Sequence, residues 1–248
     1  MSGHSKWAQI KRQKGVADAK RGQAFTKLAN AITITVRDGG GVSDPAQNFK
    51  LRLAIDKARV ANMPKANIER AIERGIGKGT GGASFEEAIY EGFAPGQVAV
   101  IVECATDNKN RTNGEVAMIF NKNGGNLANP GAVSYLFEKK GLIVVDRGDK
   151  TIDDVFLIAA DSGAEDVEEM GDEVYIYTRP EQLAKVRDFL IPSGLVIKSF
   201  ELTRKPTTIV EITNKELADN VISFIEKLEE LDDVQKVYSN FDIADGLL

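Results

Sequence analysis

The sequence predicts an α+β protein in which an N-terminal helical bundle precedes two ferredoxin-like α/β domains, one inserted in the other. Two observations lead to this prediction. Apolar residues recur at helical spacing between Gln23 and Arg74, and from Ser84 onward short β-rich runs alternate with helical patterns. The 248 residues, 42% hydrophobic and 28% charged, are enough for a buried core in each of these parts.

Three helices are predicted in residues 23–74. The first ends at the glycines 39–41, and Ser43 or Asp44 is expected to cap the second, with Pro45 in its first turn. The third begins near Pro64, and the short links favour a bundle. The apolar faces consist of Phe25, Leu28, Ala29, Ile32 and Val36 in the first helix, Phe49, Leu53 and Val60 in the second, and Ile68, Ala71 and Ile72 in the third.

Segments of different composition flank this bundle. Residues 1–22 are small and polar and are interpreted as a mobile basic arm, because two glycines each disfavour a helix there by about 1 kcal/mol relative to alanine. Residues 75–83 form a Gly-rich linker. This linker lacks the Walker spacing and has no strand before it, so a phosphate-binding loop is not predicted.

The α/β part is predicted from alternating strand and helix patterns. The order is strands at 87–93 and 97–103, a helix at 110–120, a hairpin of strands at 132–138 and 142–146, a helix at 152–162, strands at 165–168 and 173–177, a helix at 180–190, strands at 196–202 and 208–212, a helix capped by Asn214, and a strand at 234–239. Residues 131–205 then form a ferredoxin-like βαββαβ unit with one extra leading strand. It interrupts a discontinuous α/β domain of residues 84–130 and 206–243. The alternative is two contiguous domains divided near Gly141.

Charge is segregated along the chain. Residues 1–82 contain sixteen Lys and Arg against six Asp and Glu, whereas the remaining residues contain 16 basic and 31 acidic side chains. The formal net charge of −5 therefore averages a basic end and an acidic end. Such a distribution favours a polyanionic partner for the basic end, and we expect that partner to be nucleic acid.

The candidate nucleic-acid-binding residues are basic side chains of this end. They are Lys6, Lys11, Arg12, Lys14, Lys20, Arg21, Lys27, Arg52 and Arg59. Aromatic residues are not interleaved with the basic run, which argues against base stacking as the main contact. The alternative is that these residues form an ordinary solvated face.

A polar stretch between a predicted central strand and a helix is a second candidate contact. It contains Asn108, Lys109, Asn110 and Arg111, whose side chains suit phosphates and base edges. The alternative is structural: Asp107 or Asn108 caps the helix, and Arg111 pairs with a nearby acid.

The sequence contains few candidate catalytic residues. His4 is the single histidine, and Cys104 ends an apolar strand with no histidine in a structured region to activate it. Acidic runs such as 229–233 match no calcium loop and are interpreted as solvated surface. We therefore expect no catalytic residues, no metal, no cofactor and no small-molecule substrate.

The N-terminus and the cysteine content point to a cytoplasmic protein. The chain begins without an apolar run, no window is long and apolar enough for a membrane helix, and a single cysteine permits no internal disulfide. No helix-turn-helix spacing or dimerisation signal is visible, so a monomer is expected.

Several blocks, in order, resemble one known family. They are GHSKWAQIK, KRGQAFTKL, NMPKANIERAI, YEGFAPGQVAVIVE, TDNKNRT, GGNLANPGAVSYLFEKKG, GAEDV and LDDVQKVYSN. Together they are similar to the YebC/PmpR family of regulatory proteins, which includes the mitochondrial translational activator of cytochrome c oxidase. The resemblance spans essentially the whole chain. It implies a helical N-terminal domain, two α/β domains with one inserted in the other, and a cytoplasmic protein that is not an enzyme.

The resemblance leaves two functions open. Family members are called probable transcriptional regulators that bind promoter DNA, which makes a DNA-binding transcriptional regulator the first expectation. Others act with the ribosome, so the alternative is a translation factor that contacts ribosomal RNA and relieves stalling on proline-rich stretches.

Overall fold

The computed structural model describes residues 18–77, 85–171 and 173–244, with side chains from residue 24 onward. These residues divide into two compact units. Tyr135–Ile209 form the inserted unit, and the described chain up to Ser134 and from Val210 forms the split unit. Seven α-helices and three sheets within these residues confirm the α+β prediction. None of these helices has the length and hydropathy that a membrane crossing requires.

The split unit begins with three helices, α1 (Asp18–Asp38), α2 (Phe49–Val60) and α3 (Lys65–Gly75). Both α2 and α3 pack against α1, as expected of a small bundle. Their shared core contains Ile32, Val36, Leu51, Ala54, Ile55, Ala58, Met63, Ile68 and Ala71, with Phe25, Leu28, Ala29, Ile72 and Ile76 packed against it. The apolar faces predicted for α1 and α3 are thus confirmed. In α2 the prediction for Val60 is wrong, because this residue lies on the solvent side of the last turn and is 81% exposed.

The ends of these helices differ from the prediction in two places. Helix α1 already begins at Asp18, so residues 18–22, predicted as part of the arm, are helical. The cap of α2 is Asn48 and not Ser43 or Asp44. The Asn48 side chain accepts a hydrogen bond from the Leu51 N–H (3.0 Å) and donates to the Thr35 carbonyl (2.8 Å), so it joins α2 to α1 while capping it. Residues 1–17 and 78–84 lie outside the described residues.

A four-stranded antiparallel sheet completes the split unit, in the order β3-β1-β2-β9. Its strands are β1 (Glu86–Ala94), β2 (Val98–Thr106), β3 (Asn126–Ala128) and β9 (Val234–Ser239), and its helices are α4 (Lys109–Lys122) and α7 (Lys215–Glu229). The two helices pack through an edge-to-face contact of Phe120 with Phe224, whose ring centroids are 5.0 Å apart. The predicted strand 208–212 does not enter this sheet. It is the short β8 (Val210–Ile212), which pairs in parallel with β10 (Phe241–Ile243).

The inserted unit is a βαββαβ fold. Its elements are β4 (Phe137–Asp146), α5 (Ile152–Ser162), β5 (Asp166–Met170), β6 (Glu173–Thr178), α6 (Leu183–Leu190) and β7 (Val196–Pro206). All strand pairs are antiparallel, and the order β5-β6-β4-β7 is that of a ferredoxin-like sheet.

The predicted hairpin at 132–146 is wrong. Strand β4 runs without a turn through Gly141, preceded by a 3₁₀ turn at Ser134–Leu136. There is accordingly no extra leading strand in the described part of this unit. The alternative of two domains divided near Gly141 is wrong as well, because this glycine pairs with Thr178 on one side and Leu202 on the other.

Candidate nucleic-acid interface

The structure describes only part of the predicted basic surface. Lys6, Lys11, Arg12 and Lys14 lie outside the described residues. Lys20 and Arg21 are on the first turns of α1, where side chains are not described. Side chains are described for the other three residues, Lys27, Arg52 and Arg59.

Lys27 has a structural contact. Its ammonium donates a hydrogen bond to the backbone carbonyl of Glu229, the last residue of α7. A cation at the C-terminus of a helix satisfies an otherwise unpaired carbonyl and complements the helix dipole. Lys27 thus connects α1 to the α/β part of the split unit, a role that its position in a basic run does not indicate.

Arg52 and Arg59 share one stripe of α2. They lie at i and i+7 with Asp56 between them at i+4, so all three project from the same side of the helix. We name Arg52, Asp56 and Arg59 the α2 stripe. The Arg52 guanidinium lies 5.4 Å from the centroid of the Phe49 ring, and Arg59 lies 3.6 Å from Asp56 with a side chain that is 71% exposed. An exposed pair of this kind contributes only about 0.5 kcal/mol, so a phosphate can compete for Arg59.

Two further arginines of the helices hold the beginning of the sheet. Arg37, in the last turn of α1, donates to the backbone carbonyl of Phe85, and the guanidinium of Arg74 lies 5.4 Å from the centroid of the Phe85 ring. Both contacts span a segment predicted as a flexible linker, so the sequence gives no sign of them. Arg37 and Arg74 thus contact the residue just before β1, whereas Arg52 and Arg59 contact residues of their own helix.

The polar stretch at the start of α4 is largely structural. The Asn108 side chain caps the helix by accepting from the Arg111 N–H at 3.1 Å. Arg111 donates to Asp107 at 3.0 Å and to Asp233 at 2.7 Å, and Lys109 pairs with Glu86 at 2.7 Å. The structural alternative therefore describes Asn108 and Arg111, while Asn110 is exposed on the first turn.

Asp233 is the residue that sequence reasoning missed in this region. It was interpreted as part of a solvated acidic run, but it is only 6% exposed. Besides Arg111, the hydroxyls of Thr106 (3.0 Å) and Thr112 (2.7 Å) donate to the same carboxylate oxygen. The hydrogen bond and charge of Asp233 raise the pKa of Arg111. Because Arg111 and Asp233 are 122 residues apart in the sequence, no local motif reveals this ion pair.

Glu91, on β1, is a second buried carboxylate that accepts several hydrogen bonds. Its carboxylate, 6% exposed, accepts hydrogen bonds from the backbone N–H groups of Gly131 (2.9 Å), Val133 (2.8 Å) and Ser134 (2.9 Å). Burial alone would raise the pKa of Glu91, and these donors together lower it below its ordinary value. The contacts fix the loop after β3, which ends the first part of the split unit at Ser134.

Cys104 is buried and is not a reactive thiol. Burial, with Asp233 next in importance, raises the pKa of the Cys104 thiol to about 12, which leaves it protonated and unreactive at neutral pH. No group of three or more His, Cys, Asp or Glu in the described part of the chain could hold a metal ion. The chemistry available at the α2 stripe is therefore electrostatic: exposed guanidinium groups that can bind phosphate oxygens.

Comparisons with known proteins cover both units. The chain matches the family profile described as TACO1/YebC second and third domain over residues 85–241, and the TACO1/YebC protein N-terminal domain over residues 5–78. It is 53% identical to a protein of Roseiflexus castenholzii, across 100% of this chain and 97% of that protein. A relative from Persephonella marina is 51% identical across 100% and 98%. Both carry the name probable transcriptional regulatory protein.

A solved structure agrees with these relatives. The crystal structure of a conserved hypothetical protein from Aquifex aeolicus superimposes with a TM-score of 0.88 at 47% identity, covering 98% of this chain and 99% of that one. Sequence blocks, domain profiles and fold lead to the same result: the chain belongs to the TACO1/YebC family of regulatory proteins.

Proposed function

We propose that this protein is a non-catalytic, DNA-binding transcriptional regulator that contacts the phosphate backbone through its basic N-terminal third. The observation that supports the proposal most directly is the α2 stripe. Two arginines project from one side of a helix into solvent there, held only by a ring contact and a weak ion pair. The name given to the relatives from Roseiflexus and Persephonella favours the same function.

The surroundings of the stripe favour a double-stranded partner. Phe49 is the aromatic side chain next to Arg52, and the guanidinium already lies over its ring. The stripe thus offers no open aromatic face on which a single-stranded base could stack. Guanidinium groups on an exposed helix suit the regularly spaced phosphates of a duplex, and each phosphate bound would release counterions.

Charge reversal at the stripe tests the contact. In the Arg52→Glu/Arg59→Glu variant we expect weaker binding to duplex DNA and a smaller salt dependence. Losing two phosphate contacts should lower the slope of log K against log salt by about 2. Fluorescence anisotropy between about 0.05 and 0.2 M salt measures this slope, since phosphate contacts change affinity strongly over that range.

The matched control changes the same net charge elsewhere. Lys122 and Lys139 are both exposed, one on α4 and one on β4, so Lys122→Glu/Lys139→Glu makes an equal change of charge on other elements. Equal loss of binding in both variants would mean that only net charge matters and would contradict a defined contact. Thermal melting of each variant excludes unfolding as the cause.

The kind of nucleic acid is tested in cells. Crosslinking followed by sequencing of the bound nucleic acid should recover promoter DNA. Recovery of ribosomal RNA instead would replace the proposal by the translation-factor alternative, and recovery of neither would contradict a nucleic-acid partner altogether.

A further inference from the structure

One face of the inserted sheet is apolar although neither helix of the unit lies on it. A Cβ atom at Gly141 would lie 2.9 Å from the Leu183 Cβ of α6, so Gly141 faces the helices and its neighbour Leu142 projects from the opposite face. Helices α5 and α6 pack on each other and share the face of Gly141. The opposite face carries an apolar cluster, which we name the tyrosine face: Leu142, Val144, Met170, Tyr175 and Tyr177.

The tyrosine face is buried more deeply than the elements of its own unit explain. Its five side chains are 0–8% exposed, and even the hydroxyl at the tip of Tyr177 is buried. Neighbouring side chains of a sheet stand roughly perpendicular to it, so they enclose one another's sides and leave the tips accessible. Lys205 covers part of the face, because its ammonium lies 4.2 Å from the centroid of the Tyr177 ring. One lysine is too small to cover two tyrosines, each of which has about 150–250 Å² to bury, so a further segment is needed.

Carboxylates predominate around this face even when its basic residues are all counted. Arg179 pairs with Glu165, and Glu201 lies on the same face of β7, whereas Lys139 and Arg204 alternate onto the other face. Seven carboxylates thus accompany four basic side chains, a formal charge of −3, which favours a positively charged cover. Three of the basic residues are lysines that each contact two carboxylates: Lys140 with Glu138 and Glu165, Lys198 with Asp146 and Glu173, and Lys205 with Asp166 and Glu168.

The chain's own residues 1–17 have the composition of such a cover. They include Trp7 and Ile10 as apolar residues and contain no Asp or Glu. Fully extended, 17 residues span about 55–60 Å, whereas β7, the longest strand of the sheet, is about 36 Å long. The segment is therefore long enough to cross the face. Its basic residues are Lys6, Lys11, Arg12 and Lys14.

We propose that residues 1–17 dock on the tyrosine face, with Trp7 and Ile10 against the apolar cluster and the basic side chains toward the surrounding carboxylates. Apolar contact would supply affinity, and complementary charge would select this segment. The same basic residues are candidates for binding nucleic acid, so docking would restrain them until a polyanion competes for them. The contact lies within the chain and is tested without nucleic acid, so its failure and the failure of the nucleic-acid contact are distinguishable.

Trp7 is a probe for this docking, because it is the single tryptophan of the chain. In the full-length protein we expect blue-shifted emission and weak quenching by acrylamide, as for an indole in an apolar contact. The Glu138→Lys/Glu201→Lys variant changes the formal charge around the face from −3 to +1 and should repel the segment. Its emission maximum and quenching constant should move toward those of the protein unfolded in urea.

The matched control places the same charges beside the helices. Asp161→Lys/Glu181→Lys changes two exposed carboxylates, one on α5 and one just before α6, and should leave the Trp7 emission and quenching as in the unchanged protein. Urea unfolding followed by circular dichroism should give similar midpoints for both variants. A change in Trp7 that is confined to the first variant then reports lost docking and not lost folding.

Zero-length crosslinking identifies the surface that the segment contacts. A carbodiimide joins a lysine amine directly to a carboxylate, so peptide mapping of the unchanged protein should connect Lys6, Lys11 or Lys14 to Glu138 or Glu201. Mixing protein of natural and ¹⁵N isotopic composition before the reaction distinguishes crosslinks within one chain from those between two copies.

Three results would overturn the proposal. The first is Trp7 emission and quenching in the unchanged protein equal to those in urea. The second is an equal change in the two charge variants. The third is a crosslink pattern in which the segment reaches only carboxylates away from the tyrosine face, or reaches that face only between two copies, which would assign the face to the segment of a second molecule.

Discussion

Two glutamates on the same strand have pKa values that are shifted in opposite directions. Glu91 on β1 has a lowered pKa, because three backbone N–H donors outweigh its burial. Glu87, four residues earlier, has a raised pKa owing first to partial desolvation and then to the carboxylate of Asp38 at the end of α1. One carboxylate therefore stabilises the folded state when ionised, whereas the other opposes it.

These shifts predict opposite pH effects in two glutamine variants. The folded-state pKa of Glu91 lies below its unfolded value, so its contribution is present above about pH 4.3 and is lost as pH falls through the folded pKa. Glu91→Gln should cost about 1–3 kcal/mol at pH 7, since at least one N–H loses its charged acceptor, and the cost should shrink only as pH falls below about 4. Urea unfolding at about pH 7 and about pH 3 measures it.

Glu87→Gln is the control of opposite sign. The folded-state pKa of Glu87 lies above its unfolded value, so ionised Glu87 destabilises the fold as pH rises through that pKa. We expect Glu87→Gln to be more stable than the unchanged protein at pH 7, with a difference that vanishes toward pH 4. A pH-independent loss in both variants would contradict the assigned electrostatic roles.

At the residue scale, sequence reasoning succeeded where the partner is local. Asn214 was predicted as a cap and accepts from the Leu217 N–H, three residues away. The acceptor of Arg111 could only be predicted as an unnamed acid, because Asp233, the residue before β9, comes close to Arg111 through the pairing of β9 with β2. Charge content predicted a basic surface, yet it could not separate Arg52, whose ring partner Phe49 is on the same helix, from Arg74, whose ring partner Phe85 lies just before β1.

At the element scale, β4 shows how a local signal can mislead. Lys139-Lys140-Gly141 has the composition of a turn, but Gly141 is needed for a close approach. A Cβ atom there would lie 2.5 Å from Thr178 Oγ1 and 2.9 Å from Leu183 Cβ. The glycine lets β4 and the start of α6 come together in the middle of a continuous strand.

This close approach predicts that Gly141→Ala destabilises the protein. The methyl group overlaps a threonine on β6 and the backbone-proximal part of Leu183, neither of which can move far in a packed core, so we expect a cost of about 1–3 kcal/mol. Gly114→Ala is the counterpart, because a methyl group there meets no atom within 4 Å of the described chain and lies inside α4. It should stabilise by about 0.5–1 kcal/mol.

Denaturant unfolding of the two variants decides between packing and turn chemistry. If Gly141 served a turn, the two substitutions would differ mainly through backbone conformation, and adding Thr178→Ala to Gly141→Ala would recover no stability. If packing matters, adding Thr178→Ala to Gly141→Ala should recover part of the lost stability, since it removes the nearest overlapping atom.

Hydrophobic periodicity predicted most of the other helices and strands. Helix α5 and strand β9 have the predicted bounds, and the predicted inner residues Val155 and Ala159 of α5 are buried. Strand β7 extends four residues beyond its predicted end because β4 continues beside it from Gly141 back to Phe137. Strand length is thus set by the neighbouring strand, which a single-segment pattern does not contain.

At the scale of the whole molecule, both α/β parts use one sheet plan in two chain orders. The sheet of the split unit reads β9-β2-β1-β3, and that of the inserted unit reads β7-β4-β6-β5, each fully antiparallel with two helices. In the split unit the strand equivalent to β6 comes first in the chain, as β1. The hydrophobic periodicity and the order of elements predicted two related sheets. The permuted strand order of the split unit could not be predicted, because it depends on pairing between strands far apart in the sequence, such as β2 and β9.

The inserted unit enters and leaves the chain at neighbouring points. Its first strand pairs with its last, with Phe137 opposite Pro206, and the Thr207 N–H donates to the Leu136 carbonyl at 2.8 Å. Residues at the two ends are thus separated by the width of one strand pair. All four strands of its sheet belong to the unit itself. A segment with adjoining ends and a complete sheet has the properties of an independent domain.

We therefore predict that residues 135–209 fold when expressed alone, and that the remaining chain folds when Ser134 is joined to Val210 by a short Gly-Ser linker. Both should unfold cooperatively in urea and give dispersed amide NMR spectra, because neither excision breaks a strand pair. Duplex DNA binding should stay with the joined chain, which retains the α2 stripe. A non-cooperative 135–209 fragment, or DNA binding that follows it, would contradict this division of structure and function.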